Sequence, residues 1–198
     1  METRCSRKHV PPTSARLALA ISAAILAAGC ATLTAQQEAD LAEVRAFVAS
    51  AVQAYGLSPV SIRVKEQAGT RAATYQDGII AISPGILRAS LSRDVILAHE
   101  MAHHLLGHDG PLPLTWDGPS LAQQRELDAN AKAVEILQVV RGLGETEAFR
   151  LVYEAQWSLK RAVDVLPFGV PLGHPGPCVA LADLIQRFLA QRAWARAC

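Results

Sequence analysis

Apolar positions along the chain fall into segments with two different periods. From Gln36 to Tyr55, Leu41, Val44, Val48, Ala51, Val52 and Tyr55 recur at helical spacing, and Gly56 stands where a helix would stop. Val60, Ile62 and Val64 then alternate with Ser61, Arg63 and Lys65, the period of a strand. A second strand over Thr70 to Gln76 and a third over Ile79 to Ser83 flank Asp77-Gly78, a strong hairpin signal, and Pro84-Gly85 closes the third. Ser92 and Asp94 suit the first turn of a helix whose run from Val95 to Leu106 is apolar on most faces and stops at Gly107. A helix this apolar belongs in an interior. After a Gly/Pro-rich loop, Ser120 and Gln123 form a capping box for a helix reaching about Val140. Further helices are predicted over Glu145 to Val163 and Val179 to Ala195, separated by the Pro/Gly-rich segment from Leu166 to Pro177. No internal repeat or linker divides the chain, so the pattern predicts one α+β domain, mostly helical, with a small antiparallel or mixed sheet.

The first thirty residues stand apart from this pattern. Arg4, Arg7, Lys8 and Arg16 precede an uncharged run from Leu17 to Gly29, which ends at Cys30. A basic region, a short apolar core and small residues before a cut site describe a secretory signal peptide. Ala27, Ala28 and Gly29 directly before a cysteine, with Leu26 ahead of them, resemble a bacterial lipobox, which implies lipidation at Cys30. The alternatives are plain secretion and an uncleaved anchor, although this run is short for about 30 Å of hydrocarbon. Residues 1–29 thus read as a lipoprotein signal peptide and 30–198 as the working domain.

Composition sharpens the picture by exclusion. Of 198 residues, 51% are hydrophobic but only 5% aromatic, so the apolar fraction rests largely on alanine. With 19% charged residues and a net charge of +1, disorder, coiled-coil and collagen classes are excluded. Residues 1–29 carry four of the 19 basic and one of the 18 acidic residues, so the remainder holds 15 and 17, a net of −2. No basic cluster remains to bind nucleic acid. Cys178 and Cys198 survive as a potential disulfide. If one helix joins them, they lie about 30 Å apart, which favours free or intermolecular thiols.

Four of the six histidines fall between positions 99 and 108. His99-Glu100-Met101-Ala102-His103 reads HExxH inside a predicted helix. Residues four apart lie on one helix face, so both imidazoles can reach a single zinc ion. Glu100 sits about 100° round the axis, where it can accept a proton from zinc-bound water and pass it to a leaving amine. Histidines on the wet side of a helix are the bland alternative, but the surrounding sequence is too apolar for a surface. A third ligand in the pattern HExxHxxGxxH is missing, because Leu106 and Asp109 occupy the required positions. His108 lies on the far side of the helix from His99 unless the chain turns at Gly107. Glu126 is the other choice, since it shares a core-facing stripe with Asn130, Ala133, Val134 and Leu137. A charge there requires a counter-charge, which zinc or a salt bridge would supply.

HEMAHHLLGHDG, followed 23 residues after His103 by Glu126-Leu-Asp-Ala-Asn130, resembles the gluzincin metallopeptidases of the HtpX and BepA group. The resemblance covers roughly Ser83 to Pro177. It implies a zincin-like mini-gluzincin fold, one zinc ion held by His99, His103 and Glu126, and Glu100 as general base. The group carries aspartate where this chain has Asn130, which implies an uncharged partner beyond the ligands. ExxAN and HHLLGHD instead resemble the cytoplasmic ImmA/IrrE-type regulatory proteases. The export signal and Gly173-His174-Pro175 point back to the first group, where a histidine in a His-Pro element approaches the zinc. His174 is thus expected to stabilise an oxyanion, to gate the site, or to be an ordinary loop histidine.

These readings predict a zinc endopeptidase of the bacterial envelope acting on unfolded or extended polypeptide, which would pair with the strand from Ile79 to Ser83. A lipid anchor at Cys30 would hold it to a membrane, at the periplasmic face of the outer membrane in a Gram-negative cell. A non-catalytic zinc-binding lipoprotein and a regulatory protease are the rival readings. Tyr153 is an alternative oxyanion donor but reads more simply as core, Trp116 reads as a packing anchor with cleft lining as the alternative, and His104 and Asp109 read as structural.

Overall fold

The computed structural model describes residues 33–65, 73–87, 90–108, 118–163 and 174–194. The chain divides after Thr34, and the second unit, Ala35–Cys198, carries every element below. The predicted export segment, Cys30, Asp109 and Trp116 lie outside the described residues.

The described residues form six α-helices and a small sheet: α1 (Ala35–Tyr55), β1 (Ser61–Val64), β2 (Ala73–Gln76), β3 (Ile79–Ile82), α2 (Pro84–Leu87), α3 (Ser90–Leu105), α4 (Gly118–Arg141), α5 (Glu145–Val163) and α6 (Pro177–Arg187). A 3-10 turn over Leu189–Trp194 follows. The fold is therefore α+β and mostly helical, with a mixed sheet. Glycine ends α1 as the pattern predicts: Gly56 has φ +62°, and Leu57 N–H donates to Val52 O at 3.0 Å, closing a Schellman motif. The Asp77-Gly78 turn has φ of 48° and 74°, the sign pattern of a type I′ hairpin.

The sheet order is β1-β3-β2, with β1 parallel and β2 antiparallel to β3. This corrects the expectation that the strand from Ile79 is open to an extended peptide, because both of its edges are paired. The physical reason is burial. Ile80 and Ile82 are fully enclosed, whereas Ser61, Arg63 and Gln76 on the flanking strands keep part of their surface in water.

Helix α3 forms the axis of the unit, packing most extensively on α4 and also against α1, β2 and α5. Leu97, Ala98, Met101 and Ala102 are buried on it, and Ala129, Ala133, Val134 and Leu137 are buried on α4. Polar links fix both ends of α3. Arg93, only 3% exposed, donates to Leu87 O at 2.9 Å and pairs with Glu43 of α1. Asp94 accepts both guanidinium arms of Arg141 at 2.8 and 2.9 Å, and that guanidinium lies 5.0 Å over the Phe47 ring. Near the other end, His104 Nδ1 bonds the Tyr75 hydroxyl at 2.6 Å, and His104 Nε2 reaches Ser58 O at 3.1 Å. The structural reading of His104 is borne out, as is Tyr153, which is 1% exposed and stacked on Phe149.

Several elements differ from the predicted ones: the short α2 forms where only a strand end was expected, and α3 starts at Ser90, ahead of the Ser92 cap. Helix α4 starts at Gly118, ahead of the Ser120 cap, because Pro119 is suited to a first helical turn. Helix α6 stops at Arg187 rather than Ala195. Phe188 leaves helical geometry at φ −111° and ψ 65° and packs its ring 5.7 Å from Phe149. The single-helix premise that set Cys178 and Cys198 about 30 Å apart therefore fails. Cys178 is disulfide-bonded, with its partner outside the described residues.

Truncating the central strand should be costly: Ile80→Ala is expected to lower unfolding stability by about 2–5 kcal/mol. Ser61→Ala on the flanking strand should change it by less than about 0.5 kcal/mol. Urea unfolding of the two variants measures both.

Candidate metal centre

His99 and His103 sit one turn apart on α3, and Glu126 faces them from the third turn of α4. His99 Nε2 lies 3.1 Å from His103 Nε2, Glu126 Oε2 lies 3.2 Å from His99 Nε2, and Glu126 Oε1 lies 3.5 Å from His103 Nε2. Ligands at about 2.1 Å from a tetrahedral ion are separated by about 3.4 Å, so this triangle has the dimensions of a metal's donor face. Among the described residues these three groups form the set that could hold a metal ion. The structure thus brings together all three predicted ligands.

Electrostatics agree with that reading. Burial and the neighbouring imidazoles hold His103 down to about 3, so it is neutral at physiological pH with a lone pair to offer. Burial also pushes His99 downward, but the Glu126 carboxylate outweighs it and raises the net value. Glu126 loses stabilisation by burial yet stays well below the usual carboxylate range, because His174 and His99 both donate to it.

Outside the triangle, each ligand imidazole has a partner for its second nitrogen. His99 Nδ1–H donates to Asn130 Oδ1 at 3.0 Å, the role anticipated for an asparagine there. That oxygen also accepts Gln156 Nε2–H at 2.9 Å, from α5. His103 Nδ1 lies 3.0 Å from His108 Nδ1. His108 is not on the far side of the helix, because α3 ends at Leu105 and Gly107 takes φ +65°. His108 N–H then donates to His103 O at 2.9 Å and Gly107 N–H to His104 O at 3.3 Å, a Schellman motif that turns His108 back toward the centre. Burial and the Arg125 charge lower the His108 pKa, which favours its neutral form with a lone pair to accept a hydrogen bond from His103 Nδ1–H.

Glu100 is 8% exposed and is separate from the donor triangle. Burial raises its pKa most strongly, while the nearby His99 charge and a hydrogen bond from Tyr75 backbone N–H act the other way. A raised value makes a carboxyl a stronger base than an ordinary one, the direction that general-base work requires. His174, just ahead of α6, places Nδ1 3.1 Å from Glu126 Oε2 and remains 44% exposed. Its partner is therefore the ligand carboxylate.

Sequence reasoning left His108 conditional on a turn at Gly107 and missed Gln156. The signal for His108 was Gly107, the only residue type that readily takes the turn. Gln156 left no local signal, since it reaches Asn130 from a helix separated from α4 in the chain. Compared with protein-family models, curated proteins and solved structures, this chain has no significant match. The site is consequently read from its own residues.

Metal addition should raise the melting temperature by roughly 5–10 °C at about one hundred times Kd, and Glu126→Ala should abolish the rise. Replacing the imidazole beside His103, as in His108→Ala, is expected to weaken metal binding by about 10- to 100-fold in chelator competition.

Proposed function

We propose that the chain is a zinc-dependent endopeptidase of the bacterial cell envelope, of the gluzincin kind its motifs resemble. The observation that carries this reading is the donor triangle of His99, His103 and Glu126 with the buried Glu100 on the same helix. Three protein donors are the number found at catalytic zinc sites, whereas structural zinc takes four. Glu100 has no part in holding a metal, so its burial beside one is best accounted for by proton transfer.

When bound, zinc supplies Lewis acidity toward the scissile carbonyl and the attacking water. Glu100 takes the proton released as water attacks and delivers it to the amine that leaves. Tyr75 backbone N–H holds the Glu100 carboxylate in position for both transfers. Asn130 and His108 keep the ligand imidazoles turned so that Nε2 faces the centre. His174 serves as oxyanion donor if it swings from Glu126 toward the substrate, and as a gate if it stays on the carboxylate.

An extended polypeptide would add to β2 rather than β3. Strand β2 is the edge that meets α3, and Tyr75 lies on it directly beside Glu100. Location in the envelope rests on the export signal and the lipidation motif ending at Cys30. A disulfide at Cys178 fits an oxidising compartment and favours this over a cytoplasmic regulatory protease. No helix among the described residues is long and apolar enough to cross a membrane.

The deciding experiment measures bound zinc and cleavage of an unfolded protein by the purified chain. Glu100→Gln should keep zinc and lose about 10²- to 10⁴-fold in cleavage, while Glu126→Ala should lose both. Full cleavage by Glu100→Gln would refute the mechanism, and tight zinc binding without any cleavage would favour the non-catalytic lipoprotein. Cleavage by His174→Ala separates its two roles: a loss marks an oxyanion donor and a gain marks a gate.

A further inference from the structure

The oxygen of Asn130 carries two hydrogen bonds, from His99 Nδ1 at 3.0 Å and from Gln156 Nε2 at 2.9 Å. Asn130 is 4% exposed, so neither bond is replaced by bulk water. A carboxylate at this position would present an acceptor whichever way it turned, but an amide has one accepting end and one donating end. Turned the wrong way, Asn130 Nδ2–H would face His99 Nδ1 and require a lone pair there. The single proton of the neutral imidazole would then sit on Nε2, the atom that faces His103 and Glu126, and that nitrogen could not bind a metal.

From this geometry we infer that Gln156 is a positioning residue for the metal centre. Its N–H holds Asn130 with Oδ1 toward His99, which keeps the His99 proton on Nδ1 and the Nε2 lone pair free. The inference rests on the reading of His99, His103 and Glu126 as metal ligands. It also joins α5 to the centre, although that helix contributes no ligand.

The test is zinc affinity of the full chain, measured by competition with a chromophoric chelator. Gln156→Glu is close in shape but carries an acceptor in place of the donor, so it attracts the Asn130 amide group and reverses it. Simple attraction between an added negative charge and a cation predicts tighter zinc binding; the amide-orientation argument predicts binding weaker by about 10- to 100-fold. Gln156→Leu should also weaken binding, and combining it with Asn130→Asp should restore most of the affinity, because a carboxylate has no wrong orientation. Each variant is checked for an unchanged melting temperature without metal.

Unchanged or tighter binding by Gln156→Glu would overturn the proposal. An equal loss from Gln156→Leu in the Asn130 and Asn130→Asp backgrounds would also overturn it, since that is the mark of a packing role. If the unaltered chain binds no zinc, or Glu126→Ala binds it equally well, the ligand reading itself fails, an outcome separate from either of these.

Discussion

Two imidazole nitrogens and a carboxylate oxygen pair converge within 3.1 to 3.5 Å across the contact between α3 and α4. Without a metal these groups hold one another through protons: His99 and His174 donate to Glu126, while burial and the neighbouring imidazoles keep His103 neutral. The raised value of His99 and the low-lying Glu126 both follow from their mutual attraction. A bound cation would take the place of the shared proton. Much of the surrounding architecture serves to position these groups.

The alanines of α3 and α4 make the approach feasible. Ala98, Ala102, Ala129 and Ala133 are all buried, and small side chains allow helix axes to come close enough for a histidine and a glutamate to meet. Around this seam, the ends of α3 are pinned by different chemistry. Arg93 and Asp94 tie its start to α1, α2 and α4, while His104 ties its end to Tyr75 of β2. Because Tyr75 also donates its backbone N–H to Glu100, the hairpin both braces the helix and orients that buried carboxyl.

Outside the donor triangle, the protein controls which nitrogen of each imidazole carries the proton. His99 is served by Asn130 and Gln156, and His103 by His108. These partners come from α4, α5 and the turn after α3, so three segments are coupled to one centre. His174 adds a fourth by bonding Glu126 from the segment before α6. The site is thus sensitive to the packing of helices that contribute no ligand.

Periodicity and turn residues were enough to place the long helices, though not all their ends, the hairpin and the HExxH face, since these depend on spacing within one segment and on the φ that glycine tolerates. The charge of Glu126 on an apolar stripe made the third ligand legible for the same local reason. Strand order was not legible: which strand lies in the centre depends on competition among three segments for burial, and Ile79–Ile82 wins because it is the most apolar. The end of α6 was decided by Phe188 finding Phe149 on another helix. Gln156 was invisible because its hydrogen bond crosses between helices. Sequence by itself determined what each segment could become and which residues could bind a metal; tertiary structure decided their partners, because hydrogen bonds and packing across segments depend on distances that local spacing does not contain.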